Sequence, residues 1–181
     1  GLDDAAVIAS AHAASRARGL LPASIAGIRG ALMAGDRRTA LAFTQQAIEA
    51  SISPPAVLFR EYVSIRVVAD PFPLDNEMVE ALKRLRHDEP LNPLWAQMLG
   101  YIRFQRGGWE MLDALSQMES AVQYGATNRT PYAVGAEAAR QLGRTSRAVE
   151  LLREGVARFP GDLDLLNNLI YTLAQTPEGV E

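Results

Sequence analysis

Proton transfer near neutral pH and metal binding fall first to histidine, and this chain has two, His12 and His87. They lie far apart. Neither has another ligand-type side chain three or four residues further on, the spacing that puts two ligands on one helix face. His87 follows Arg84 and Arg86 at an expected helix C-terminus, where positive charge is favoured by the helix dipole. Cysteine is absent, which removes disulfides, thiolate metal sites and thiol nucleophiles but leaves the redox compartment open. The acid pairs Asp3-Asp4 and Asp88-Glu89 fall at expected helix ends, where capping and solvation account for them. The sequence has neither a Gly-x4-Gly-Lys phosphate loop nor a dinucleotide fingerprint, and Gly107-Gly108 reads as a turn. Asn128-Arg129-Thr130 matches a glycosylation triplet, but Pro131 follows directly and Thr130 is expected to cap a helix. No catalytic residue, metal or cofactor is expected from this set.

What remains is surface chemistry of arginines, amides and carboxylates. Of the 18 basic residues only Lys83 is a lysine, which leaves 18 − 1 = 17 arginines against 21 acids and a net charge of −3. That balance offers no basic excess for phosphate backbones, so nucleic acid is not an expected partner. With 181 residues, 48% apolar and 22% charged, the chain is long enough and apolar enough to fold around a core. No apolar run reaches the roughly 18 residues of a membrane span. The wealth of arginine and alanine suggests a bacterial source, with the cytoplasm and the periplasm both open. The chain begins at Gly1, shows no targeting segment, and is expected to be a piece of a longer protein.

The elements that would carry these residues announce themselves by punctuation. Pro22, Pro54, Pro93 and Pro131 recur at intervals of 32, 39 and 38 residues, and Asp162 follows 31 residues later. Proline suits the first helical position, where its missing N–H has no partner anyway. Ser53, Asn92 and Thr130 precede three of these prolines, and each side chain can cap a first turn. Apolar residues keep a 3.6-residue period throughout, without a convincing strand alternation. The pattern predicts ten helices, over 3–18, 22–33, 37–51, 54–68, 76–87, 93–105, 109–124, 131–142, 146–159 and 163–175. Gly35-Asp36, the Asp70-Pro-Phe-Pro73 corner, Gly107-Gly108 and Gly143 separate them. Short loops make consecutive helices antiparallel.

The segment 129–162 resembles a tetratricopeptide repeat. With Pro160 as the closing proline, Tyr132 takes the aromatic position of the first helix and Gly143 the turn. Ala148, Leu152 and Gly155 then take the small–large–small positions of the second helix, where small residues let helices approach and the large one fills the gap. Ala114, Met118 and Ala121 repeat that pattern one period earlier, behind Trp95. Ala40, Thr44 and Ala47 repeat it again behind Gly35-Asp36, whereas Leu82 and Leu85 replace the small residues in the segment between. Leu166 to Leu173 looks like the first helix of a further repeat. The resemblance implies an all-α, right-handed α–α superhelix of about four and a half hairpins within a single domain, 1–181. Its repeats would run over 22–53, 54–91, 92–129 and 130–161, with a half-repeat at 162–175.

In stacked hairpins the first helices line the concave face, and residues left out of the packing pattern point into it. These are Arg29, Arg103, Glu137, Arg140, Gln141, Asn167, Asn168 and Tyr171. Arginine pairs bidentately with carboxylates and asparagine can pair with backbone, so the expected partner is a protein or an extended peptide. The family resemblance further implies clamping of a peptide carboxylate by Arg and Asn on this face. Leu166, Leu169, Ile170 and Leu173 form an apolar stripe, to be covered by further chain beyond Thr176–Glu181 or by a second copy. The leading function is a non-catalytic interaction scaffold. The alternatives are a self-associating module and a small-molecule sensor with Tyr62, Trp95, Tyr101 and Trp109 around its ligand. An RNA-reading repeat is disfavoured by the acidity.

Overall fold

The computed structural model describes residues 21–51, 54–68 and 74–175. The expected helix over 3–18 with His12, the Ser53 cap, the 70–73 corner and the 176–181 tail lie outside them. Among the described residues there are nine α-helices, one 3-10 turn and no strand. Contacts divide the chain after Asp88 into two units.

The first unit holds α1 (Leu21–Met33), α2 (Arg37–Glu49), α3 (Ala56–Arg66) and α4 (Asn76–Asp88). Its corner between α1 and α2 is built as the residue types suggest. Gly35 adopts φ +75°, its N–H donates to the Leu32 carbonyl (3.0 Å), and the Asp36 N–H donates to the Ala31 carbonyl (2.9 Å). These two bonds close the orphan carbonyls of α1, and a side chain at position 35 would meet the αL penalty. Asp36 then caps α2 by accepting from the Thr39 N–H at 3.0 Å. Ile28, Ala31, Ala40, Leu58 and Ile65 form the core of these helices, with Ile25, Phe43 and Ile48 packed against it.

One expected start moves. The α3 helix begins at Ala56, not Pro54, and Pro55 sits extended before it with ψ 152°. A residue preceding proline is driven away from helical geometry, so tandem prolines delay the helix. Asp75 caps α4 through the Met78 N–H (2.9 Å) and is also held by Arg66. Leu82 and Leu85, the departures from the small-residue pattern, are fully buried.

The second unit holds α5 (Pro93–Arg106), a 3-10 turn (Gly108–Glu110), α6 (Met111–Gln123), α7 (Thr130–Gln141), α8 (Thr145–Arg158) and α9 (Leu163–Leu173). Asn92 caps α5 as its position suggests, accepting from the Leu94 N–H at 3.1 Å. Thr130 is not the cap of α7. It is already helical, and Asn128 accepts from its N–H (3.0 Å) while donating to the Gln97 side chain on α5 (3.0 Å). One asparagine thus ends a loop and ties it to an earlier helix. Trp109 lies in the 3-10 turn and not in α6, because Gly107 and Gly108 both have positive φ and α6 proper starts at Met111.

The core of this unit gathers Met111, Ala114, Leu115, Tyr132, Ala136, Ala139, Ala148, Leu151, Leu152 and Leu165. Glycines at three points let helix axes close in. A Cβ at Gly100 would lie 3.0 Å from the Gln117 Cβ, one at Gly135 3.1 Å from the Met118 Cβ, and one at Gly155 2.8 Å from the Tyr132 Cβ. A mid-helix glycine costs about 1 kcal/mol of propensity, so each is explained by the approach it permits.

Candidate functional site

The α9 helix carries three faces with different chemistry. Leu165 and Thr172 are buried, and Leu169 packs on the core of the second unit. Asp164, Asn167, Asn168 and Tyr171, spaced i, i+3, i+4 and i+7, share a second face. Leu163, Leu166 and Ile170 occupy the third and stay exposed, Ile170 by 57%.

The second face of α9 looks across an open groove at α7. Its wider part is a cleft of about 440 Å³ between Arg129, Thr130, Ala133 and Val134 on one side and Asp164, Asn167 and Asn168 on the other. Ala133 and Asn168 also border a narrow crevice of about 30 Å³, which continues between Glu137 and Arg140 of α7 and Tyr171 of α9. Six of the eight groove residues expected from the sequence thus meet on one pair of helices: Glu137, Arg140, Gln141, Asn167, Asn168 and Tyr171. Arg103 is half-buried and ion-paired with Asp113 on α6, and Arg29 is exposed on α1 in the first unit.

The charges of the groove are engaged with one another. Arg140 grips Glu137 with two hydrogen bonds, Nε to Oε2 at 2.9 Å and Nη2 to Oε1 at 2.7 Å. Gln141 adds a third bond to Oε1 at 2.9 Å. Burial pushes the Glu137 carboxyl up, but the bonds from Arg140 and Gln141 outweigh it and hold the group below its ordinary value. The bond to Glu137 likewise raises the Arg140 guanidinium, which lies over the Tyr171 ring at 5.9 Å from its centroid. At the other end, Arg129 bonds to both Asp162 oxygens (3.0 and 3.2 Å) and to Asp164. Asp162 also caps α9, and the Leu165 N–H is the largest influence lowering its carboxyl, with Arg129 adding to it.

The amides differ. Asn167 and Asn168 are exposed, and neither side chain has a hydrogen-bond partner among the described residues. The Asn168 backbone carbonyl also accepts from the Thr172 hydroxyl, at 2.7 Å. Sequence reasoning missed Arg129, Ala133, Val134 and Asp164. Asp164 was legible from its place three residues before Asn167, and Arg129 from lying 33 residues before Asp162.

Of the four aromatics considered for a ligand pocket, Trp95 is buried with its indole N–H donated to Glu89 at 3.1 Å, Tyr101 is half-buried, and Trp109 is 85% exposed. Tyr62 belongs to the first unit, beside a cleft of about 380 Å³ with Ile48, Phe59 and Glu77. Its hydroxyl donates to Glu77 at 3.0 Å, and burial together with that bond pushes its pKa up to about 12. His87 lies in the last turn of α4, as its neighbours suggested. Among the described residues no group of three His, Asp or Glu side chains could hold a metal, and no helix is long and apolar enough to cross a membrane.

Comparison with solved structures places this architecture. The chain is similar to YrrB, described as a TPR protein with an unusual peptide-binding site, at 14% identity and a TM-score of 0.71, over 91% of this chain and 82% of that one. It is similar to MamA at 14% identity and a TM-score of 0.69, over 84% and 80%. A thermophilic TPR protein of Thermus thermophilus, TTC0263, matches at 19% identity and a TM-score of 0.52, over 94% and 90%. No family model and no curated protein matches the sequence. The fold is that of a tetratricopeptide-like helical repeat, an all-α solenoid of helical hairpins.

Proposed function

We propose that this chain is a non-catalytic protein-interaction scaffold that holds an extended peptide or protein segment between α7 and α9. The observation that carries the reading is the pair of uncommitted amides, Asn167 and Asn168, on the wall of an open cleft of about 440 Å³. Each amide offers a donor and an acceptor, the same pair that every peptide group presents in return. The small side chains Ala133 and Val134 opposite leave room for a chain to lie down. The likeness to YrrB, a TPR protein described by its peptide-binding site, supports the same use of the fold.

The test is an array of extended peptides probed with the wild-type chain and with the Asn167→Ala/Asn168→Ala double variant. Binding that the double variant loses supports the groove. Peptides held equally by both proteins would remove it.

A second reading rests on a separate observation, the exposed apolar row Leu163, Leu166 and Ile170. Such a row on the third face of α9 suits burial against a second copy of the chain. Size-exclusion mass at two concentrations tests it: dilution should shift the wild type and leave Ile170→Lys unmoved. A wild-type mass independent of concentration would discard this reading.

A further inference from the structure

We propose that the α7–α9 groove selects an uncharged internal stretch of an extended chain rather than a chain terminus, a narrower statement that rests on the peptide-groove reading above. The charge inventory decides it. Two arginines, Arg129 and Arg140, face three carboxylates, Glu137, Asp162 and Asp164, so the groove is short of one positive charge. A terminal carboxylate arriving there meets no free guanidinium. To take the Nε–Nη2 edge of Arg140 it must displace Glu137, which fills it at 2.9 and 2.7 Å, and on the Nη1 side it would add a further negative charge to a guanidinium already paired with a carboxylate. Exchanging one carboxylate for another at one guanidinium gains no net bond and strands the first, half-buried, without its partner. Arg129 is likewise shared between Asp162 and Asp164.

The polar capacity left over is neutral. Asn167 and Asn168 can each pair with a peptide group along a backbone, and the Thr130 hydroxyl, a neutral donor and acceptor as well, stands on the opposite wall of the wider cleft. Opposite them Ala133 and Val134 present a small apolar wall, suited to an uncharged side chain of the visitor. The run from Asp164 to Tyr171 is about 10 Å at 1.5 Å per residue, which spans about three residues of extended chain. Closed ion pairs stand at both ends of that run. A segment that enters and leaves the groove fits between them, whereas a charged end does not.

The experiment uses the full chain and a positional-scanning library of short peptides in two forms, free acid and acetylated amide, read by fluorescence anisotropy. Blocked peptides should bind at least as well as free acids. Affinity should change by less than about twofold between about 0.1 and 1 M salt. Asn167→Ala, checked for folding by circular dichroism, should weaken binding roughly fivefold. Free acids bound about tenfold tighter, charged library positions preferred, or affinity that collapses with salt would overturn this inference while leaving the groove reading in place. Peptides that bind indifferently to Asn167 and Asn168 would overturn the groove reading, and this one with it. Self-association abolished by Asn167→Ala would put a second copy in the groove and overturn the inference as well.

Discussion

Gly155 of α8 faces Tyr132 of α7 so closely that a Cβ on the glycine would stand 2.8 Å from the tyrosine Cβ. Carbon atoms do not approach to that distance, so the contact exists because residue 155 has no side chain. Tyr132 is thereby 1% exposed and meets Phe159 edge-on, with centroids 5.9 Å apart and planes at 69°. Gly155→Ala should therefore lower the unfolding free energy by about 1–3 kcal/mol, despite alanine's better helix propensity. Gly161, with nothing within 4 Å of its own Cβ position, is the control, and Gly161→Ala should unfold like the wild type. Urea unfolding of both variants is the measurement. Equal midpoints would show that the helices part without cost.

The two tryptophans should report separately. Trp109 is 85% exposed and Trp95 is 7% exposed. Acrylamide should quench most of the emission that Trp109→Phe removes, and the emission left in that variant should be blue-shifted and resistant. Easy quenching of the remaining fluorescence would mean that Trp95 is open to water.

Arg147 links α6 to α8 by donating to Glu119 (2.6 Å) and to Glu150 within its own helix (2.7 Å). All three side chains are partly exposed, so their pairing is weak and screened. A double-mutant cycle between Arg147→Ala and Glu119→Ala should give a coupling of about 0.5–1 kcal/mol that fades toward 1 M salt. A coupling of zero at low salt would remove this bridge from the hairpin contacts.

Acid should loosen the α1–α2 corner. The Thr39 hydroxyl, at 2.6 Å, and then the Thr39 N–H hold the Asp36 carboxyl below its ordinary value of 3.8. A carboxyl lowered in the folded state adds stability above its unfolded value and loses it as pH falls through the folded one. Asp36→Asn keeps an acceptor for the Thr39 N–H but does not titrate there. Its urea midpoint should fall less steeply below about pH 4 than that of the wild type. Parallel curves would show that other carboxyls govern the acid limb.

Local chemistry alone determined where helices stop and restart at several points. Gly35 with Asp36, Asn92 before Pro93, and the positive φ of Gly143 act within one turn of backbone, and a one-dimensional reading suffices for them. The small–large–small series Ala148, Leu152 and Gly155 was legible for the same reason, because a helix carries i, i+4 and i+7 onto one face. Which charges remain free for a partner was decided only in three dimensions. Arg140 was expected to reach into the groove, yet its guanidinium is closed on Glu137, and Arg103 is closed on Asp113 of the next helix. Asn128, which reads as part of a glycosylation triplet, works as a tie to Gln97. Gly100 and Gly135 are likewise explained only by the fold, because the Gln117 and Met118 side chains press against them. Spacing along one helix sets which face a side chain occupies, but the partner that satisfies it comes from whichever helix packs alongside, and that distance is a property of the fold.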